Sequence, residues 1–146
     1  RMIDMIGQNP IFSTAIRLVV GQRLVRRLDD ATKVPYQPDD ATKKYLRDQL
    51  EGLPENIPMP DVDNLTLYHP GKSDTVPFGY IGRMTIIEQM VVTDEIQAFL
   101  RGDVKDVNAE AIEEAARRNG MITLMQDGIL KAIAGQTTLE EVNRVI

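Results

Sequence analysis

Few side chains in this sequence are equipped for chemistry, and their spacing limits them further. His69 is the single histidine and cysteine is absent. Thiol redox chemistry, disulfides and a His/Cys zinc cluster are therefore excluded. His69 stands beside Pro70 in turn-forming sequence with no carboxylate partner specified, so it reads as an exposed or structural residue rather than a general base. The acidic pairs Glu113-Glu114 and Glu140-Glu141 are adjacent in helical sequence. Their side chains diverge by about 100° and cannot share a proton, so both pairs read as solvated helix surface. No Gly-x-x-x-x-Gly-Lys-Ser/Thr loop, Gly-x-Ser-x-Gly elbow or His-Glu-x-x-His helix occurs, and catalysis by these residues alone is not expected.

The one basic concentration is Arg17, Arg23, Arg26, Arg27 and Lys33. Such a stripe can meet nucleic acid, nucleotide phosphate or an acidic protein face. Against nucleic acid stand the net charge of −5, the Asp29-Asp30 pair that follows, and the lack of interleaved aromatics. The stripe is read as a strand edge protected by charge, with no nucleic-acid partner.

Positioning these residues takes few elements. The chain has 146 residues, 42% of them hydrophobic and 27% charged, which suits one compact domain or two small lobes and excludes a large multidomain enzyme. Apolar runs stay far below the roughly 20 residues that span a bilayer, so a soluble protein is expected. Arg1 in place of an initiator Met, and no leader pattern, lead to the expectation of a piece of a longer protein.

Pro10 to Val20 carries helical spacing with Gly21 at its end. Gln22 to Leu28 fits a strand, with Leu24, Arg26 and Leu28 on one face, although a continued helix fits as well. Arg83 to Val92 alternates with period two and is the clearest strand. Between these strands, 29–82 holds seven of the eight prolines and reads as an inserted lobe with a thin core of its own. It carries a helix from Asp39 or Asp40 to Leu50 and a short strand at Leu65 to Tyr68.

The remainder is helical. One helix is capped by Thr93 and stopped by Gly102. A second follows Asn108 and carries Glu113/Arg117 and Glu114/Arg118 pairs. A third runs from Met121 to Ala134, and a last begins at a capping box in which Glu141 reaches back toward Thr138. The expected class is α+β: a small antiparallel sheet (strands near 22–28 and 83–92), an inserted lobe and a C-terminal helical bundle.

Three ordered segments carry a resemblance. They are Gln22-Arg23-Leu24-Val25-Arg26-Arg27-Leu28; Gly79-Tyr80-Ile81-Gly82-Arg83; and Met121-Ile122-Thr123-Leu124 with Asp127-Gly128, Lys131, Gly135, Thr137-Thr138 and Glu140-Glu141-Val142. Together they resemble the C-terminal part of the type II secretion and type IV pilus assembly ATPases, over essentially the whole chain. The resemblance implies that 1–28 and 83–101 form the edge of a RecA-like core, 29–82 the lobe that binds metal in relatives, and 102–146 a helical subdomain. It implies a cytoplasmic homo-hexamer, peripheral to the inner membrane through protein partners. That assembly would use ATP and magnesium to work on an inner-membrane platform protein and other cytoplasmic secretion or pilus components. The phosphate loop would lie upstream of Arg1, leaving these residues without a catalytic group or cofactor of their own. Gln22 and Arg23 are the candidates for lying near nucleotide in the parent, or are structural. A stand-alone adaptor that keeps the domain as a protein-binding module is the alternative.

One departure stands out. Most relatives hold zinc in the lobe through two Cys-x-x-Cys pairs, and those places fall here on Asp29, Thr32, Lys72 and Thr75, so zinc of that type is not expected. A structural zinc contributes on the order of 10 kcal/mol to folding a small metal domain. Its replacement would be an Asp29-Lys72 pair assisted by the threonine hydroxyls and by Tyr36 and Leu67, or apolar contacts alone. An exposed ion pair supplies only about 0–1 kcal/mol.

Overall fold

The computed structural model describes residues 15–104 and 107–146. It is an α+β structure, with a small antiparallel sheet and helices gathered toward the C-terminus. The elements in chain order are β1 (Leu18–Leu28), β2 (Val34–Tyr36), α1 (Asp40–Leu50), β3 (Leu67–His69), β4 (Tyr80–Val91), α2 (Asp94–Arg101), α3 (Ala109–Arg118), α4 (Leu124–Ile133) and α5 (Leu139–Val145). β1 pairs with β4, and β2 with β3. No helix among the described residues is long and apolar enough to cross a membrane.

The helix expected over Pro10 to Val20 is corrected at its end. Positions 10–14 lie outside the described residues, and Leu18, Val19 and Val20 belong to β1, as does Gly21, which is no helix cap. A short apolar run with β-branched residues satisfies both periods, and pairing with β4 decides between them. β4 starts at Tyr80 rather than Arg83. β3 starts at Leu67, while Leu65 is buried in the core.

The chain forms two compact units. In one, made of positions 15–20, 89–104 and 107–121, α2 and α3 pack through Ile96, Ala115 and Ala116, joined by Val92 and Met121. Local chemistry sets both helices. Thr93 accepts from the Ile96 amide and Asn108 from the Ala111 amide, and acidic residues occupy each first turn, where they favour the helix dipole. Glu113 reaches Arg117 at 4.0 Å. Arg118, expected to pair with Glu114, instead reaches Glu95 on α2 at 2.8 Å. An interhelical partner competes successfully with an i,i+4 pair worth only about 0.2–0.5 kcal/mol.

The other unit comprises 21–88 and 122–146. Its β2–β3 ladder is antiparallel, with Val34 opposite His69, Pro35 opposite Tyr68 and Tyr36 opposite Leu67. The Tyr36 and His69 rings stack at 3.9 Å, which gives His69 a structural role. The core is shared across the sequence: Leu46, Leu50, Val62, Leu65 and Leu67 of the lobe close on Ile129, Ala132 and Leu139 of α4 and α5. The lobe completes a core it could not fill alone. α1 is capped by Asp39, which accepts from the Thr42 amide. α4 begins at Leu124 rather than Met121, because Thr123 and Gln126 form a capping box.

Candidate functional site

The residues of the terminal signature do their work on the two strands. On α4, the Asp127 carboxylate accepts from the Ile87 amide at 2.7 Å, and Lys131 Nζ donates to the Thr85 carbonyl at 2.9 Å while pairing with Asp127 at 2.5 Å. Glu88 Oε2 accepts from the Leu124 amide at 3.2 Å. These bonds fix α4 on β4. The α4–α5 connection fixes β1 in the same way: the Leu28 amide donates to the Gln136 carbonyl at 2.9 Å, and Thr137 Oγ1 donates to the Arg26 carbonyl at 2.8 Å. The Arg26 amide donates to Glu141 Oε2 at 3.0 Å. Strand edge groups that would otherwise need a further strand or water are thereby satisfied.

Glu141 corrects two expectations. Thr138 caps α5 by accepting from the Glu141 amide, but the Glu141 side chain does not reach back to it, and it is not solvated helix surface. It is 2% exposed and carries two arginines: Arg26 Nη2 at 2.5 Å and Arg144 Nη2 at 2.9 Å, with Arg144 Nε at 3.1 Å. Burial by itself would raise this carboxyl. The hydrogen bonds from the Arg26 and Arg144 side chains and the Arg26 amide, with the charge of Arg26, outweigh it and bring the group from 4.5 down to about 2. The Arg26 guanidinium lies 4.2 Å from the centre of the Tyr80 ring, and the Tyr80 hydroxyl is 3.2 Å from Thr138 Oγ1. Arg26 and Arg144 also line an open cleft of about 550 Å³ with Leu24 and Arg83.

Gln22 and Arg23 are exposed on β1, and Arg23 Nη1 donates to the Gln22 carbonyl at 3.0 Å. They are not brought to the cleft, which takes Leu24 and Arg26 from the same strand. Sequence reasoning missed Arg26, Arg83, Glu141 and Arg144 as a group. The basic run pointed to Arg26, but nothing in local spacing links it to a carboxylate 115 positions away.

Of the four places that the resemblance assigns to metal ligands in relatives, Asp29 and Thr32 fall in one tight turn, Thr75 in a second, and Lys72 just before it. Asp29 accepts from Thr32 Oγ1 at 2.8 Å, and its carbonyl accepts from the Lys33 amide at 3.0 Å. Thr75 Oγ1 lies 3.2 Å from Ser73 Oγ, which accepts from the Val76 amide at 3.0 Å. Glycines bring the turns together: a Cβ on Gly71 would overlap the Thr32 carbonyl, and one on Gly79 would overlap the Gly71 carbonyl. The Asp29 amide donates to the Gly79 carbonyl at 3.1 Å. No ion pair within 4.0 Å joins Asp29 to Lys72 among the described residues, so the replacement pair is corrected to backbone contacts and apolar packing. An ammonium and two hydroxyls beside one carboxylate do not fit tetrahedral zinc. Among the described residues, no group of three or more His, Cys, Asp or Glu is placed to hold a metal, and the chain offers no phosphate loop.

The match to the family described as Type II/IV secretion system protein covers residues 1–144, and the chain belongs to that family. Type II secretion system protein E of Xanthomonas campestris pv. campestris is 36% identical over 99% of this chain. Type IV pilus assembly ATPase PilB of Thermus thermophilus is 40% identical over 96%, and PilB of Pseudomonas aeruginosa 34% identical over 91%. The chain spans only 24%, 15% and 21% of these three relatives.

Proposed function

We propose that this chain is the C-terminal, non-catalytic portion of a cytoplasmic hexameric ATPase that powers type II secretion or type IV pilus assembly. In that role it couples ATP-driven domain motion to an inner-membrane platform protein. The observation that carries the reading is that nearly all of the chain aligns with less than a quarter of relatives whose names include pilus assembly ATPases. ATP and magnesium belong to the parent, with Gln22 and Arg23 as candidates for lying near the nucleotide. The bonds from α4 and α5 to β1 and β4 support a mechanical part: a helix pair tied to two strands at several points moves with them.

The test is a titration of the 146-residue chain with MgATP, beside a longer chain that extends upstream. No binding by the former, with hydrolysis by the latter, is expected. ATP turnover by the 146 residues overturns the reading. A gene with no phosphate loop upstream of Arg1 replaces it with the adaptor.

A further inference from the structure

Arg26, Arg83 and Arg144 come from β1, β4 and α5 and line one cleft. Arg26 and Arg144 share Glu141, and Arg83 makes no ion pair among the described residues. Three arginines thus line the cleft while the one carboxylate bonded among them, Glu141, answers only Arg26 and Arg144, a surplus of two positive charges on a chain whose net charge is −5. Clustered like charge is unfavourable unless an anion answers it.

The arginines are also held ready. Glu141 and the Tyr80 ring fix the Arg26 head group while 46% of its side chain stays exposed, and Arg144, fixed by the same carboxylate, is 56% exposed. Each guanidinium has five N–H donors. Glu141 takes one from the Arg26 side chain and two from Arg144. Donors remain on forks whose ordering cost has already been met.

The apolar residues beside them narrow the ligand. Leu24 is 52% exposed and precedes Arg26 by two positions on β1; Ile81 is 56% exposed and precedes Arg83 by two on β4. Residues two apart share a strand face where the strand is regular, so β1 presents Leu24 and then Arg26 to the cleft, while Gly82, at a φ of 71°, interrupts that alternation between Ile81 and Arg83. We propose that this cleft receives an acidic segment of a partner protein, in which carboxylates alternate with apolar side chains. A single strand of nucleic acid would stack its bases on free aromatic rings, and Arg26 already covers the Tyr80 ring. A lipid surface would engage a broad flat charge, whereas these charges converge on a concavity. The inference does not rest on the motor reading.

The experiment follows the anisotropy of a fluorescein-labelled peptide of alternating Glu and Leu, titrated with the 146-residue chain at low and physiological salt. The same peptide with Gln for Glu, a single-stranded oligothymidine and phosphatidylserine vesicles serve as competitors. The Glu peptide binds and weakens with salt, and its Gln counterpart does not bind. Arg83→Glu lowers affinity at least about tenfold while leaving the urea unfolding midpoint in place, because Arg83 is exposed and makes no ion pair among the described residues. Arg83→Lys, which keeps charge but loses the fork, retains part of the binding. Equal binding of the two peptides, unchanged binding by Arg83→Glu, or tighter binding of oligonucleotide or vesicles overturns the proposal. So does self-association of the chain that Arg83→Glu abolishes, which would assign the cleft to a second copy.

Discussion

Replacing Glu141 with Gln removes the charge that organises Arg26 and Arg144 while keeping the side chain's shape. A carboxyl ordinarily at 4.5 and held at about 2 in the fold favours the folded state by about 3 kcal/mol at neutral pH. Because the folded value lies below the unfolded one, this contribution is complete above about pH 4.5 and is lost as pH falls toward 2. The freed arginines are about half exposed, so water takes over their donors and no further buried-charge penalty is added.

Urea denaturation of wild type and Glu141→Gln should then differ by about 3 kcal/mol near pH 7 and near pH 5, and by less than about half of that near pH 3. At neutral pH the melting temperature should fall by roughly 6–12 °C. The Asp30, Asp39 and Asp61 carboxyls are also held below their ordinary value, chiefly by hydrogen bonds from Lys33, Thr42 and Asn64. They are common to both proteins and cancel in the difference. A gap that stays constant from pH 7 to pH 3, or one below about 1 kcal/mol at pH 7, refutes the assignment of Glu141 as the anchoring charge.

Other substitutions probe the lobe and the caps. Gly71→Ala places a methyl against the Thr32 carbonyl, a backbone clash that no rotamer relieves. It should cost about 3 kcal/mol in urea denaturation, the upper end for overpacking. Lys72→Ala should change stability by less than about 0.5 kcal/mol, because Lys72 makes no ion pair among the described residues; a loss several times larger would restore the replacement pair. Adding a strong chelator should leave the melting temperature unchanged, as the donor set at Asp29, Thr32, Lys72 and Thr75 predicts. Thr123→Ala removes the acceptor of the Gln126 amide and should lower stability by about 1 kcal/mol, seen as a shift in the same unfolding midpoint.

Much of the fold is written in short stretches of chain. Asp39, Thr93, Asn108 and Thr138 mark helix starts because a cap hydrogen bond spans three residues, and no distant partner is needed to form it. The alternation of β4 and the glycine stops are equally local. Where two periods fit one apolar run, as at Leu18 to Val20, only the pairing of β1 with β4 settled the outcome. Arg118 shows the same rule in miniature, since its partner Glu95 lies 23 residues away.

The cleft lies at the far end of that scale. Arginines of β1 and α5 meet at Glu141, and share a cleft with one of β4, because the α4–α5 connection bonds to the edge of β1, and no local pattern encodes which strand a helix will meet. Residue types at short range set the family resemblance, the helix caps, the strong strand and the absence of any cysteine to bind zinc. Tertiary contacts between distant segments are what bury Glu141 between two arginines and let Gly71 and Gly79 draw the turns at Asp29 and Ser73 together. They also let the lobe share its core with α4 and α5. These contacts arise only when segments distant in sequence are brought within bonding range, and desolvation then sets what each charge can do.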